Sequence, residues 1–222
     1  MRPEEFEREW RGPGEYVTVH TSGSTGIPKE MRVEKRRMEA SARTTCDFLG
    51  LRPGDTALLC MSTDYIAGKM MMVRALTRDL KLTKVDPSSH PLSRIETADF
   101  DLAAMVPLQV YNSLAVPAER KKLMSIKHLI IGGGALDSEI EAQLRDFPNA
   151  VWCSYGMTET LSHIALRRVS GETASEYYTP LQGVRVTIDS EGCIVIDAPA
   201  VCATTLTTND IGGMAPDGVR FK

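Results

Sequence analysis

The chain has 222 residues, 42% hydrophobic and 25% charged, enough to bury a core in one large domain or one domain with a small appendage. Lys and Arg number 26 against 29 Asp and Glu, a formal net charge of −3, which supplies no electrostatic footprint for nucleic acid or an anionic membrane. Glu4, Glu5, Glu7 and Glu9 oppose a secretory signal, and the longest uncharged run, 102–118, is too short and too broken by prolines to cross a bilayer.

Apolar residues alternating over 16–20 predict a short strand, and the period of Met38, Ala42, Cys46 and Leu49 predicts a helix over 34–49 stopped by Gly50. A buried strand at 56–61 precedes a Met-rich helix at 65–76, then a strand at 81–85 ahead of the breakers Pro87 and Pro91. A strand at 102–106, helices at 108–116 and 118–125, a strand at 128–134, a capped helix at 137–147 and a strand at 150–154 complete the alternation. Such β-α-β-α order predicts an α/β fold: a mostly parallel sheet flanked by helices on both faces. Beyond 162 the texture changes to a hairpin, 184–189 and 193–197 around Ser190-Glu191-Gly192, and a further strand at 201–207, a smaller C-terminal β-rich subdomain.

Cys46, Cys60, Cys153, Cys193 and Cys202 form no CxxC pair and are odd in number, so they read as buried free thiols of a cytoplasmic protein. His20, His90, His128 and His163 stand too far apart for zinc spacing.

The most informative segment is His20-Thr21-Ser22-Gly23-Ser24-Thr25-Gly26-Ile27-Pro28-Lys29. Its glycines let backbone N–H groups turn toward an anion, its hydroxyls donate to phosphate oxygens, and Lys29 offsets charge. It is not a Walker loop, because Gly26 is followed by Ile27 and Pro28 rather than by Lys and Ser or Thr. Gly132-Gly133-Gly134-Ala135 follows a strand, but Asp137 stands where a dinucleotide fingerprint needs its third glycine. In Tyr155-Gly156-Met157-Thr158-Glu159, directly after Ser154, an aromatic beside a glycine can lie flat on a planar base, and a hydroxyl beside a carboxylate suits a phosphate with Mg²⁺. Thr207-Thr208-Asn209-Asp210 reads as a turn, with Asn209 at a position that tolerates positive φ. Tyr65, Lys69 and Met72 fall at i, i+4 and i+7, on one face of their helix.

In this order the segments resemble the signatures of the adenylate-forming (AMP-binding) superfamily, with Glu30 and Ala135 departing from the usual glycine and proline and Asn209 from the usual glycine. The segment 62–71 is most similar to the o-succinylbenzoate–CoA ligases of menaquinone synthesis. The resemblance implies a carboxylate, ATP and coenzyme A as substrates and Mg²⁺ as cofactor, giving an acyl-adenylate and then a thioester. It implies Thr21, Ser22, Gly23, Ser24, Thr25 and Gly26 on the phosphates with Lys29 nearby. It further implies Gly133, Gly134, Ala135, Ser154, Tyr155, Gly156 and Met157 about the adenine, Thr158 near the α-phosphate, Glu159 on Mg²⁺ and Asp210 on the ribose. Tyr65 and Lys69 are the candidates for the acyl substrate, with Lys69 ahead of Arg74 as the partner of a second carboxylate. On this reading 1–165 is an α/β adenylate-binding core and 166–222 a β-rich subdomain ending at the hinge, with the family's C-terminal lid domain absent and turnover impaired. A ligase for another carboxylate and a non-catalytic nucleotide-binding domain are the alternatives.

Overall fold

The computed structural model describes residues 1–20 and 30–222. Helix α1 (Pro3–Arg11) precedes the antiparallel pair β1 (Tyr16–His20) and β2 (Glu30–Glu34), whose facing ends are His20 and Glu30. Next come α2 (Lys35–Phe48), β3 (Thr56–Leu59), α3 (Ile66–Arg78), β4 (Lys81–Lys84) and β5 (Leu102–Met105). They are followed by α4 (Pro107–Ala115), α5 (Pro117–Ser125), β6 (His128–Ile131), α6 (Ser138–Arg145) and β7 (Ala150–Gly156). The remaining strands are β8 (His163–Arg168), β9 (Thr179–Pro180), β10 (Arg185–Ile188), β11 (Cys193–Asp197) and β12 (Leu206–Ile211). Among the described residues no helix is long and apolar enough to cross a membrane.

A seven-stranded sheet runs β4-β3-β5-β6-β7-β8-β9, parallel from β4 to β7 and antiparallel thereafter. Its central strands are apolar on both faces, as a sheet covered on both sides requires. Ala57, Leu59, Leu102, Ala104, Ile130 and Trp152 pack toward α2, α3 and the β1–β2 pair. Leu58, Ala103, Met105, Leu129, Ile131, Val151 and Cys153 point the other way, toward α4, α5 and α6. The sheet is thus the mostly parallel, helix-flanked one that the β-α-β-α order predicts.

Chain order reverses at β3, which has β4 on one side and β5 on the other. In open α/β sheets ligands bind outside the carboxyl ends of the strands at such a reversal. The glycines there work by absence. A Cβ on Gly132 would lie 2.1 Å from Ser154 Oγ, and one on Gly156 would lie 2.2 Å from the Ser162 carbonyl oxygen.

A three-stranded antiparallel sheet, β10-β11-β12, packs through Val186, Ile194 and Ile196 on Ile164, Ala165 and Phe221. Because β8 and β9 belong to the large sheet, the step between sheets falls between Pro180 and Arg185, later than a division at 165/166. The last strand is Leu206–Ile211 rather than 201–207, and Asn209 lies within it without a positive φ, so the expected turn at 207–210 is part of a strand. Pairing steps from Val195↔Thr207 to Cys193↔Ile211, so β12 takes up more residues than β11 there, a bulge that re-aims Asp210.

Candidate functional site

A cavity of about 580 Å³ opens at the carboxyl ends of β3, β5, β6 and β7. Cys60 to Ser62 line it after β3, Met105 and Val106 at the end of β5, Gly132 and Gly133 after β6, and Ser154 and Gly156 from β7. Its mouth carries Tyr65 and Leu108, both more than half exposed, and His20 at the end of β1. Gln109 fixes one wall by donating through Nε2 to the carbonyls of Cys60 (3.0 Å) and Ser88 (2.9 Å). Cys60 is buried, its thiol pushed up to about 12 by loss of hydration, so it serves as wall rather than nucleophile.

The polar floor is built from α3 and the start of β8. Arg74 is 2% exposed and lines the cavity, yet it pairs with no carboxylate among the described residues. Its Nη2 donates to Ser162 Oγ at 2.7 Å, its Nη1 faces Met71 Sδ at 3.8 Å, and its Nε has no partner among the described residues. Burial pushes the guanidinium down to about 10. His163 lies beside it, 8% exposed, held well below the ordinary histidine range first by burial and then by the Arg74 charge. His163 is therefore neutral and Arg74 is the cation of the floor.

Lys69, the leading sequence candidate for that cation, is elsewhere. It does not line the cavity; its Nζ donates to the Thr18 carbonyl of β1 and lies 5.8 Å from the Phe6 ring centroid. The reason is helical phase: Lys69 and Arg74 are five residues apart on α3, so they leave the helix on different sides. Tyr65 does reach the mouth, and its backbone bridges to His20. The helical period that groups Tyr65 with Lys69 does not hold here, because α3 begins at Ile66 and Tyr65 is its N-cap in extended backbone.

Of the other motif residues, Gly133, Ser154, Gly156, Met157 and Thr158 line the cavity, whereas Gly134, Ala135, Tyr155, Glu159 and Asp210 do not. Ser154 Oγ donates to the Ile131 carbonyl at 3.1 Å, tying β7 to β6 beside the glycine turn, where Gly133 has φ +82 and Gly133, Gly134 and Ala135 are exposed. Tyr155 faces the small sheet; its hydroxyl donates to Asp210 Oδ2 at 2.8 Å and its ring meets Phe221 edge-on, 5.3 Å between centroids. Burial and the Asp210 carboxylate both keep that phenol protonated by pushing its pKa up. Met157 and the buried Thr158 line the cavity, whereas Glu159 is exposed and its carboxylate makes no hydrogen bond or ion pair among the described residues. Thr21, Ser22, Gly23, Ser24, Thr25, Gly26 and Lys29 lie outside the described residues.

Thr160 carried no sequence signal and organises this turn. Fully buried, its Oγ1 accepts from Met157 N at 2.9 Å and lies 2.6 Å from the Ser162 carbonyl. Leu161 follows with φ +65, a left-handed conformation that a branched side chain adopts at a cost, here between the residues of the rim and those of the floor.

The sequence pattern of the AMP-binding enzyme family matches residues 7–199. The 2-succinylbenzoate–CoA ligases of Salmonella typhimurium and Escherichia coli are 28% and 29% identical over 168 residues, 76% of this chain and 35% of theirs. The chain thus spans about a third of the length of these curated relatives. Among solved structures, an acyl-CoA synthetase (AMP-forming)/AMP-acid ligase II-like protein from Dyadobacter fermentans superposes with a TM-score of 0.91 at 38% identity, over 98% of this chain and 62% of that one. The o-succinylbenzoate coenzyme A synthetase of Bacillus subtilis, solved with ATP and magnesium ion, shares the fold at a TM-score of 0.73 and 20% identity, over 92% of this chain and 48% of that one.

Proposed function

Because this chain belongs to the AMP-binding enzyme family, we propose that it takes part in ATP-dependent activation of a carboxylic acid, with o-succinylbenzoate as the acid and coenzyme A as the final acceptor. The carrying observation is Arg74, a buried guanidinium on the cavity floor without a carboxylate partner among the described residues. A buried cation left unpaired is costly, and a substrate bearing a second carboxylate supplies the missing partner. The largely apolar walls of Met61, Ile66 and Met105 suit the aromatic body of such an acid.

The reaction divides into two displacements. A carboxylate oxygen attacks the α-phosphorus, the bond to the bridging oxygen breaks, and pyrophosphate leaves. The thiolate of coenzyme A then attacks the acyl carbon and AMP leaves. Neither step needs a covalent enzyme intermediate, so positioning and charge neutralisation carry the rate. Thr158 at the cavity wall is the donor toward the α-phosphate. Tyr155 and Gly133–Ala135 flank the adenine, with Ser154, Gly156 and Met157 completing that wall, and Asp210 takes the ribose hydroxyls. Thr21–Gly26 and Lys29, which follow His20 in the chain, take the outer phosphates. Glu159, a hard oxygen donor whose carboxylate has no hydrogen-bond or ion-pair partner among the described residues, would hold Mg²⁺. The ion held there would supply neutralisation of phosphate charge.

Calorimetric titration tests the reading. AMP should bind and NAD should not, and the non-hydrolysable o-succinylbenzoyl-adenylate analogue should bind more tightly than its benzoyl and fatty-acyl counterparts. Equal affinity for all three acyl groups would remove o-succinylbenzoate as the acid, and tight NAD with no AMP would remove the reaction.

A further inference from the structure

Behind Arg74 runs a buried chain of hydrogen bonds whose direction can be worked out. Arg74 only donates, so Ser162 Oγ accepts from Nη2 at 2.7 Å and keeps its own proton to give. Ser162 Oγ lies 3.4 Å from His163 Nδ1. On the far side of the ring, His163 Nε2 lies 3.0 Å from Thr45 Oγ1, which lies 3.1 Å from the Ser41 carbonyl. A carbonyl only accepts, so the Thr45 proton goes to Ser41 and Thr45 accepts from Nε2. Only the Nε2–H tautomer puts a proton in all four contacts. The Nδ1–H tautomer would spend the Thr45 proton on Nε2, leave two oxygens facing each other at Ser41, and leave the Ser162 proton without an acceptor.

We propose that His163, as the neutral Nε2–H tautomer, is a positioning residue that sets the Ser162 hydroxyl and through it the Arg74 guanidinium, so that the cavity selects acyl groups carrying an anion. The chain is anchored in the core: Thr45 is fully buried on α2, Ser41 is 4% exposed one turn earlier, and Gly156 lets the β7 backbone close on Ser162 and His163. Arg74, the only charged side chain lining this cavity among the described residues, therefore receives its orientation from helix α2, its neighbour on the same face of the sheet, by way of Ser162 and His163. With one Nη fixed by Ser162, the free edge of the guanidinium is what remains for a ligand carboxylate. A charged imidazole could not do this, because Nδ1–H has nothing to accept from Ser162 and would place a second cation against Arg74.

The inference rests on the reading of Arg74 as the anion contact, and the tests keep the two apart. Two-bond ¹H–¹⁵N correlation spectra of the wild-type chain should give His163 a protonated Nε2 and a bare Nδ1; a protonated Nδ1 would overturn the proposal without touching Arg74. Calorimetry with a pair of non-hydrolysable acyl-adenylate analogues, o-succinylbenzoyl and benzoyl, reads the consequence. Ser162→Ala and His163→Phe should each weaken the o-succinylbenzoyl analogue about tenfold, leave the benzoyl analogue nearly unchanged, and together do no more than either alone. Equal losses on both analogues would make these residues merely structural and defeat the proposal. If Arg74→Gln discriminates between the analogues as the wild type does, the anion reading fails and the proposal falls with it. If Arg74→Gln abolishes discrimination but Ser162→Ala preserves it, the relay alone is refuted.

Discussion

His163 shows how much a single buried side chain can make stability depend on pH. In the fold it is neutral, because burial and then Arg74 disfavour the imidazolium; in the unfolded chain it titrates near 6.5. The folded value is depressed, so the unfolded state binds the proton first, and stability is lost as pH falls through the unfolded value toward the folded one. Between about pH 7.5 and about pH 5.5 this one group removes about 1.4 kcal/mol. Urea unfolding of the wild type and of His163→Gln at both pH values should differ by that amount in their pH-induced loss. His128, also held low by burial, contributes equally to both chains and drops out of the difference.

At the level of elements, what could be read from the chain depended on how continuous the apolar pattern was. Strand β5 is wholly apolar and β3 and β6 are apolar after their first residues, Thr56 and His128, and all three stand where the pattern puts them. Helix α1 and strands β2, β8 and β9 left no comparable trace. Helix α1 buries Phe6 alone, β2 buries only Val33, and β9 is two residues long. The site divides in the same way. Gly133, Tyr155 and Thr158 lie in strings of unusual composition, whereas Arg74, Thr160, Ser162 and His163 gain their meaning only when α3 and the 157–162 turn meet. Periodicity also favoured Lys69 over Arg74, because it counted Tyr65 as a helical residue, whereas α3 starts one residue later. The turn hangs on one hydroxyl, so Thr160→Val, which leaves Met157 N unpaired, should cost about 2 kcal/mol in urea unfolding. It should weaken AMP as well, and Thr160→Ser should restore both.

For the molecule as a whole, the two sheets are joined by aromatic packing. Phe221 is fully buried, stacks on Tyr178 at 5.6 Å between centroids, and exchanges backbone hydrogen bonds with it at 2.7 and 3.1 Å. Tyr155 closes this cluster and carries the bond to Asp210, so the nucleotide contacts proposed on the large sheet and on β12 share one seam. Phe221→Ala should cost about 3–5 kcal/mol of unfolding free energy, read by urea titration, and should weaken AMP more than Lys69→Met does.

The cysteines give this architecture a practical consequence. Cys46, Cys60, Cys153 and Cys202 are buried, contrary only at Cys193 to the expectation of five hidden thiols. Cys193 stands half-exposed on β11, paired in register with Ile211, the residue after Asp210. Burial, Asp189 and Glu191 raise its thiol, so labelling needs mildly alkaline buffer. A thiol reagent should count one fast site in the native chain and all five after unfolding. A fluorophore attached there sits next to Asp210, the proposed ribose contact, without any residue having been mutated, and should report nucleotide arrival by a change in emission when AMP is added.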